Sequence, residues 1–194
     1  MAQWILKATC GGLLSACAAN DRFGGSPEFC LMATGDVATV MVSVAIPPAA
    51  AFEVFTRVID LWWQRGMRFR NGGIGASRMQ LEPGIGGRFV ELLGEGVTVR
   101  TIEIGHITHW EPPARLVMRW RNSNFAAHES TQLEINFAAY GGGTRVTVRH
   151  HGWAALRADH PARHGESGAA FIRTTGLWWG DVLSAYRMFA LATK

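Results

Sequence analysis

From Ala38 onward the chain breaks into short runs in which apolar and polar positions alternate. Thr39–Ile46 (TVMVSVAI) is β-branched with period two, which predicts a strand. Pro47-Pro48 closes it, and Pro48 suits the first turn of a helix over AAAFEVFT. Asp60 opens a second helical turn, DLWW, and the glycine- and arginine-rich Gln64–Ser77 reads as an irregular loop. Six further strands are predicted at Arg78–Glu82, Arg88–Leu93, Val97–Trp110, Leu116–Arg121, Thr131–Tyr140 and Thr144–Trp153. Between them stand turn residues: Pro83-Gly84, Gly94-Glu95-Gly96, Pro112-Pro113 and Gly141-Gly142-Gly143.

After Ser167 the period changes. Phe171, Thr175, Trp178, Val182, Ala185 and Phe189 recur every three or four residues, as on one face of a long amphipathic helix. Gly168, Gly176 and Gly180 interrupt it, each costing about 1 kcal/mol of helix propensity relative to Ala. Such a cost points to a packing reason, either close approach to a sheet or space kept between the two. The predicted order is one strand, two short helices, six strands and one long helix, β-α-α-β6-α. The fold class is therefore α+β, an antiparallel sheet whose apolar face the terminal helix covers.

Period-two parity assigns inner faces. Leu116, Met118 and Trp120 share one, as do Leu133, Ile135 and Phe137, and Val146 and Val148, whose parity carries His150 inward. Phe89 and Leu93 bracket Glu91. The inferred concave face is thus apolar with two ionisable members, Glu91 and His150, the usual make-up of a small-molecule site. A histidine satisfied within the core and a glutamate at a wet strand end are the plainer alternatives. Trp62, Trp63, Trp120, Trp153, Trp178 and Trp179 fall at element ends or on inner faces, either as core or as an aromatic wall. Adjacent Trp178 and Trp179 cannot both face inward on a helix.

Composition narrows the classes. At 194 residues with 18% charged and 48% hydrophobic residues, the chain fits one folded domain rather than a disordered one. Net charge is +4, but arginines such as Arg119, Arg121, Arg145 and Arg149 alternate along strands, on the solvated face. No contiguous basic stripe with stacking aromatics exists, so no nucleic-acid partner is expected. Cys10, Cys17 and Cys30 all precede residue 31, an odd count that supplies no disulfide framework for the core. No apolar run approaches the roughly 20 residues of a membrane helix. Residues 1–36, with a faintly signal-like ATCGGLLSACA, a turn-rich NDRFGGSPEF and a second methionine at Met32, are set aside as a leader. The domain is taken as 37–194, its location as cytoplasmic, and its state as monomer or homodimer.

No metal is expected. His106 and His109, three apart on a strand, should face opposite ways, and Pro161 lies between His160 and His164. Helical HExxH and CxxC are absent, and so are phosphate-binding glycine loops and a GxSxG elbow. No cofactor is expected either.

Four segments, PPAAAFEVFT with IDLWW, EPGIGGRFVE, GHITHWEPPARLVMRW and GGGTRVTVRHHGW, stand in an order that resembles the activator of heat-shock-protein-90 ATPase homologue-like family. That family belongs to the SRPBCC superfamily (START and Bet v 1-like). The resemblance, from about Val40 to Phe189, implies a helix-grip fold, a curved sheet wrapped around the C-terminal helix with a hydrophobic cavity between. The family's Glu-Pro-x-x-Gly-Gly-Arg-x-x-Glu pattern falls on Glu82, Pro83, Gly86, Gly87, Arg88 and Glu91, and its His-x-Gly-Trp on His150, Gly152 and Trp153. The co-chaperone namesake's separate N-terminal domain has no counterpart in residues 1–36.

The leading expectation is a binding module for a small hydrophobic or aromatic ligand. Its candidate residues are Trp62, Trp63, Phe89, Glu91, Met118, Trp120, Ile135, Phe137, Val148, His150, Trp153, Phe171, Trp178 and Val182. An enzyme using His150 and Glu91 as an acid/base pair is the runner-up, which needs the two within hydrogen-bond reach. A protein-partner role, including co-chaperone activity, is the third reading and needs an exposed apolar patch, expected around Trp62 and Trp63 or Trp179.

Overall fold

The computed structural model describes residues 14–18, 29–166 and 168–193. Among these residues nine strands form one antiparallel sheet: β1 (Leu14–Ala18), β2 (Phe29–Thr34), β3 (Val37–Val44), β4 (Ser77–Leu81), β5 (Arg88–Leu93), β6 (Arg100–Glu111), β7 (Arg115–Trp120), β8 (Thr131–Tyr140) and β9 (Gly143–His151). Their spatial order is β1-β2-β3-β9-β8-β7-β6-β5-β4. Two short helices, α1 (Pro48–Arg57) and α2 (Ile59–Trp62), follow β3, and α3 (Gly168–Ala192) ends the fold. This is the helix-grip arrangement, with every strand and helix predicted after Val37 present within a few residues of its expected ends.

The sheet is larger than expected. Of the segment set aside as a leader, Phe29–Thr34 pairs antiparallel with β3, and Leu14–Ala18 pairs in turn with β2. Leu31 is buried in the main core. The predicted order β-α-α-β6-α therefore gains two strands at its front. Cys30 is buried and disulfide-bonded. The signal-like and turn-rich readings of the other early residues fall mostly on 1–13 and 19–28, outside the described residues.

The core sits between the sheet and α3. Trp179, Val182, Leu183 and Tyr186 have no exposed surface, and they meet Val40, Leu116, Met118, Leu133, Ile135 and Val148 of the strands. Burial of this kind contributes roughly 25 cal/mol per Å² of apolar surface. The Tyr186 hydroxyl donates to the Ala51 carbonyl at 2.8 Å, and burial raises its pKa. The buried ridge of α3 is rotated from the predicted one, through Ile172, Gly176, Trp179, Leu183, Tyr186 and Ala190, with the predicted ridge along its flank. Glycine carries no side chain to register in a hydrophobic pattern, so the ridge centred on Gly176 went unread.

Two further expectations change for local reasons. Trp62, Trp63 and Trp179 are all buried, so none forms the exposed apolar patch expected of them; α2 ends at Trp62, and the extended backbone of Trp63 (φ −66°, ψ 121°) turns it inward as well. A bulge in β6 between Ile107 and His109 sets His106 opposite Arg119 and His109 opposite Val117, positions of one parity. The two histidines thus share a face instead of diverging. Among the described residues no group of three His, Cys, Asp or Glu side chains is placed to hold a metal.

Candidate functional site

At the end of the grip farthest from the α3 C-terminus lies an open cavity of about 490 Å³. The sheet supplies Ile104, Trp120 and His150, and α3 supplies Phe171, Thr174, Thr175 and Trp178. Three loops complete it: Trp63 with Met67–Asn71, Asn122–Asn124, and Trp153 with Ala162 and His164. Depth sorts these residues by chemistry. Trp63, Trp120, His150, Trp153 and Phe171 are buried, while Asn71, Asn122, Ser123, Asn124, His164 and Thr174 are exposed.

The aromatic wall is interlocked. Trp63 and Trp120 lie near parallel, with ring centres 6.5 Å apart at 28°, and Trp178 stands edge-on to both. Trp178 stacks on Phe69 at 6.0 Å and donates its indole N–H to the Arg68 carbonyl. The Trp63 indole N–H goes to the Phe69 carbonyl. Such edge-to-face and offset contacts each add about 0.5–1.5 kcal/mol beyond burial.

Two buried ions hold the 64–76 loop in place. Arg70, with no exposed side-chain surface, uses all five guanidinium N–H groups. They reach the Asp60 carboxylate at 2.7 Å and the carbonyls of Asp60, Trp63, Gln64 and Ser77. Glu91, fully buried, accepts the backbone N–H and side-chain amide of Asn71 on Oε2 and the N–H of Gly72 on Oε1. Asn71 in turn accepts from the Ser123 hydroxyl, which ties this loop to the 122–124 loop.

His150, next to last in β9, stands in the middle of the aromatic group, 4.5 Å from the Trp153 ring. An indole can only donate, so the bond from Trp179 Nε1 at 3.0 Å makes His150 Nδ1 an acceptor. The proton then sits on Nε2, which donates to the Thr131 hydroxyl at 2.8 Å. Desolvation, and secondarily the neighbouring His151, push the His150 pKa down to about 3. The ring is a neutral, fully bonded part of the wall.

The motifs carried over from the family resolve into structure. Glu82 and Arg88 form a two-bond ion pair across the β4–β5 turn, which holds the Glu82 pKa low and the Arg88 pKa high. Gly152 and Ala154 donate their backbone N–H groups to the Asp36 carboxylate, fixing the exit from β9 and the placement of Trp153.

Of the predicted ligand-binding residues, Trp63, Trp120, His150, Trp153, Phe171 and Trp178 line the cavity. Trp62, Phe89, Met118, Ile135, Phe137, Val148 and Val182 instead fill the core between sheet and helices, because the same inward parity serves both packing and a pocket. Glu91 is spent on the loop. The acid/base pair is not formed: both His150 nitrogens and both Glu91 oxygens are engaged by other groups. The loop residues of the site carry no periodicity and went unread. Their signal was the length of Gln64–Ser77, since long loops on a rigid scaffold are where sites are built.

The sheet order and the helix-bounded cavity define a helix-grip protein. Residues 45–170 match the family described as Activator of Hsp90 ATPase homolog 1-like protein, and the chain belongs to that family. No curated protein sequence matches it. Among solved structures, protein MLL2253 from Mesorhizobium loti superposes with a TM-score of 0.55 at 13% identity, covering 81% of this chain and 98% of that one. Protein SA2116 from Staphylococcus aureus gives 0.53 at 11% identity, over 82% and 96%. CalU16 from Micromonospora echinospora gives 0.50 at 14%, over 93% and 87%. At these identities the likeness concerns the fold.

Proposed function

We propose that this chain is a small-molecule-binding protein that holds a hydrophobic or aromatic ligand in the cavity between sheet and α3. The observation that carries the reading is the gradient within the cavity, from a buried aromatic interior to an exposed polar mouth. Apolar pockets with a few convergent polar groups are the common form of such sites. Titration of tryptophan fluorescence with a panel of hydrophobic ligands should show a saturable change, lost when Thr175→Trp fills the cavity. A flat response to every ligand would overturn the reading. No described helix is long and apolar enough to cross a membrane. We place the protein in the cytoplasm, which cell fractionation would check.

A second reading follows from the family's description as an activator of the Hsp90 ATPase. Leu177, Met188 and Leu191 are exposed along α3 and would be the apolar surface that such a partner covers. Stimulation of Hsp90 ATPase turnover by the chain, reduced in Met188→Asp, would support it, and no stimulation would remove it.

A further inference from the structure

The mouth of the cavity offers more free side-chain donors than acceptors, which defines one end of its ligand, given the ligand-binding reading above. Arg68 belongs to the lining and is more than half exposed. Its Nη1 meets Asp181 Oδ2 at 2.7 Å, whereas Nε and Nη2 make no hydrogen bond or ion pair among the described residues. Those two atoms carry parallel N–H groups, the fork that matches the two oxygens of a carboxylate. Asp181 offsets part of the guanidinium's charge, but it leaves this edge open and is not in the lining. The guanidinium stands 5.4 Å from the Phe69 ring, which stacks on Trp178 at the edge of the aromatic wall.

The neighbouring groups point the same way. Asn122 and Asn71 spend their side-chain carbonyls within the fold, on the Trp120 indole N–H and the Ser123 hydroxyl. The Asn122 amide N–H groups stay free, and exposed His164 makes no side-chain hydrogen bond among the described residues. No carboxylate belongs to the lining. An anionic head at this exposed rim would keep part of its water, so it avoids the full cost of burying a charge. The buried interior, Trp63, Trp120 and Phe171, suits an apolar body instead. From these observations we infer that the ligand is an amphipathic organic acid. Its apolar, ring-bearing body lies inward, and its carboxylate sits at the mouth on the free edge of Arg68.

Calorimetric titration of the full chain at pH 7.5 with 2-naphthoate and naphthalene-2-carboxamide, an uncharged molecule of the same shape, tests this. The readout is the ratio of the two affinities. Naphthoate should bind about threefold or more tighter, as expected for an exposed ion pair. The preference should shrink between about 0.05 and 0.5 M salt. Arg68→Gln should abolish it. Asp181→Asn should widen it about twofold or more, since it removes the charge that competes for Arg68. If the carboxamide binds as tightly as naphthoate, or if Arg68→Gln keeps the preference, the head-group assignment is wrong while the ligand-binding reading stands. An unchanged or smaller ratio in Asp181→Asn would likewise remove Arg68 as the carboxylate's partner. If neither molecule saturates, the reading on which the inference rests falls with it.

Discussion

Leu31 on β2 occupies the space that a side chain at Gly176 of α3 would need: a Cβ built there would collide with Leu31 Cδ1. The contact explains why a helix keeps glycine at its buried centre, and it makes β2 part of the core. Gly176→Ala should gain about 1 kcal/mol of helix propensity and lose about 1–3 to overpacking, for a net destabilisation near 1 kcal/mol. Leu31→Ala should cost roughly 2–4 kcal/mol as a cavity. The double variant should be at least about 0.5 kcal/mol more stable than the sum, because alanine at 176 partly fills what Leu31 vacates. Urea denaturation of the four proteins measures this coupling. Strict additivity would separate the two residues.

Gly87 presents the same collision with a different partner. A Cβ there would strike the Glu82 carbonyl, which is backbone and cannot rotate away as a leucine methyl can. The turn is fixed on both sides, since Gly87 accepts from the Ile107 N–H at 2.8 Å and Arg88 holds the Glu82 carboxylate. Gly87→Ala should therefore destabilise by roughly 2–4 kcal/mol, more than Gly176→Ala, as a strained backbone replacement. Thermal unfolding of both variants side by side tests the order.

Glu91 holds three N–H donors with one buried carboxylate, so Glu91→Gln keeps one accepting oxygen but turns an NH2 group toward the donors on the other side, which it cannot accept. The change should cost roughly 2–3 kcal/mol, the range for losing hydrogen bonds to a charged acceptor. Its effect should be local first. Amide exchange at Asn71 and Gly72 should accelerate before the sheet is affected, and the cavity wall at Phe69 and Trp178 should loosen with it. Unchanged protection at both amides would show that Arg70 alone positions the loop.

What could be read from the residues followed the physics of each segment. Strands such as β8 alternate strictly, so the pattern alone puts Leu133, Ile135 and Phe137 inward. The same parity could not separate a core residue from a pocket residue, which depends on where the helix stops covering the sheet. Hence Met118 and Val148 fell in the core and Trp120 and His150 at the cavity. Residues Met67–Asn71 and Asn122–Asn124 are fixed by buried ions and by hydrogen bonds between loops, contacts that leave no period in the sequence. Trp63 is legible from its residue type, whereas the break in helix geometry that turns it inward leaves no mark in the pattern.

His150 sets the pH response. Its pKa is about 3 in the fold, against about 6.5 when unfolded. The unfolded chain therefore binds the extra proton below pH 6.5 while the native state does not. Stability from this group is fully present above pH 6.5 and is lost as pH falls toward 3, by up to about 1.4 kcal/mol per pH unit. The useful window is about pH 6.5 to 4.5, above the range in which ordinary carboxylates protonate. His150→Gln keeps a group able to accept from Trp179 and donate to Thr131 but does not titrate. It should be less stable than the parent at pH 7, with a flatter stability profile across that window. Denaturation midpoints at half-unit pH steps would measure the difference. Parallel slopes for the two proteins would mean that His150 is protonated in the fold, and the Trp179–His150–Thr131 chain would have to be reassigned.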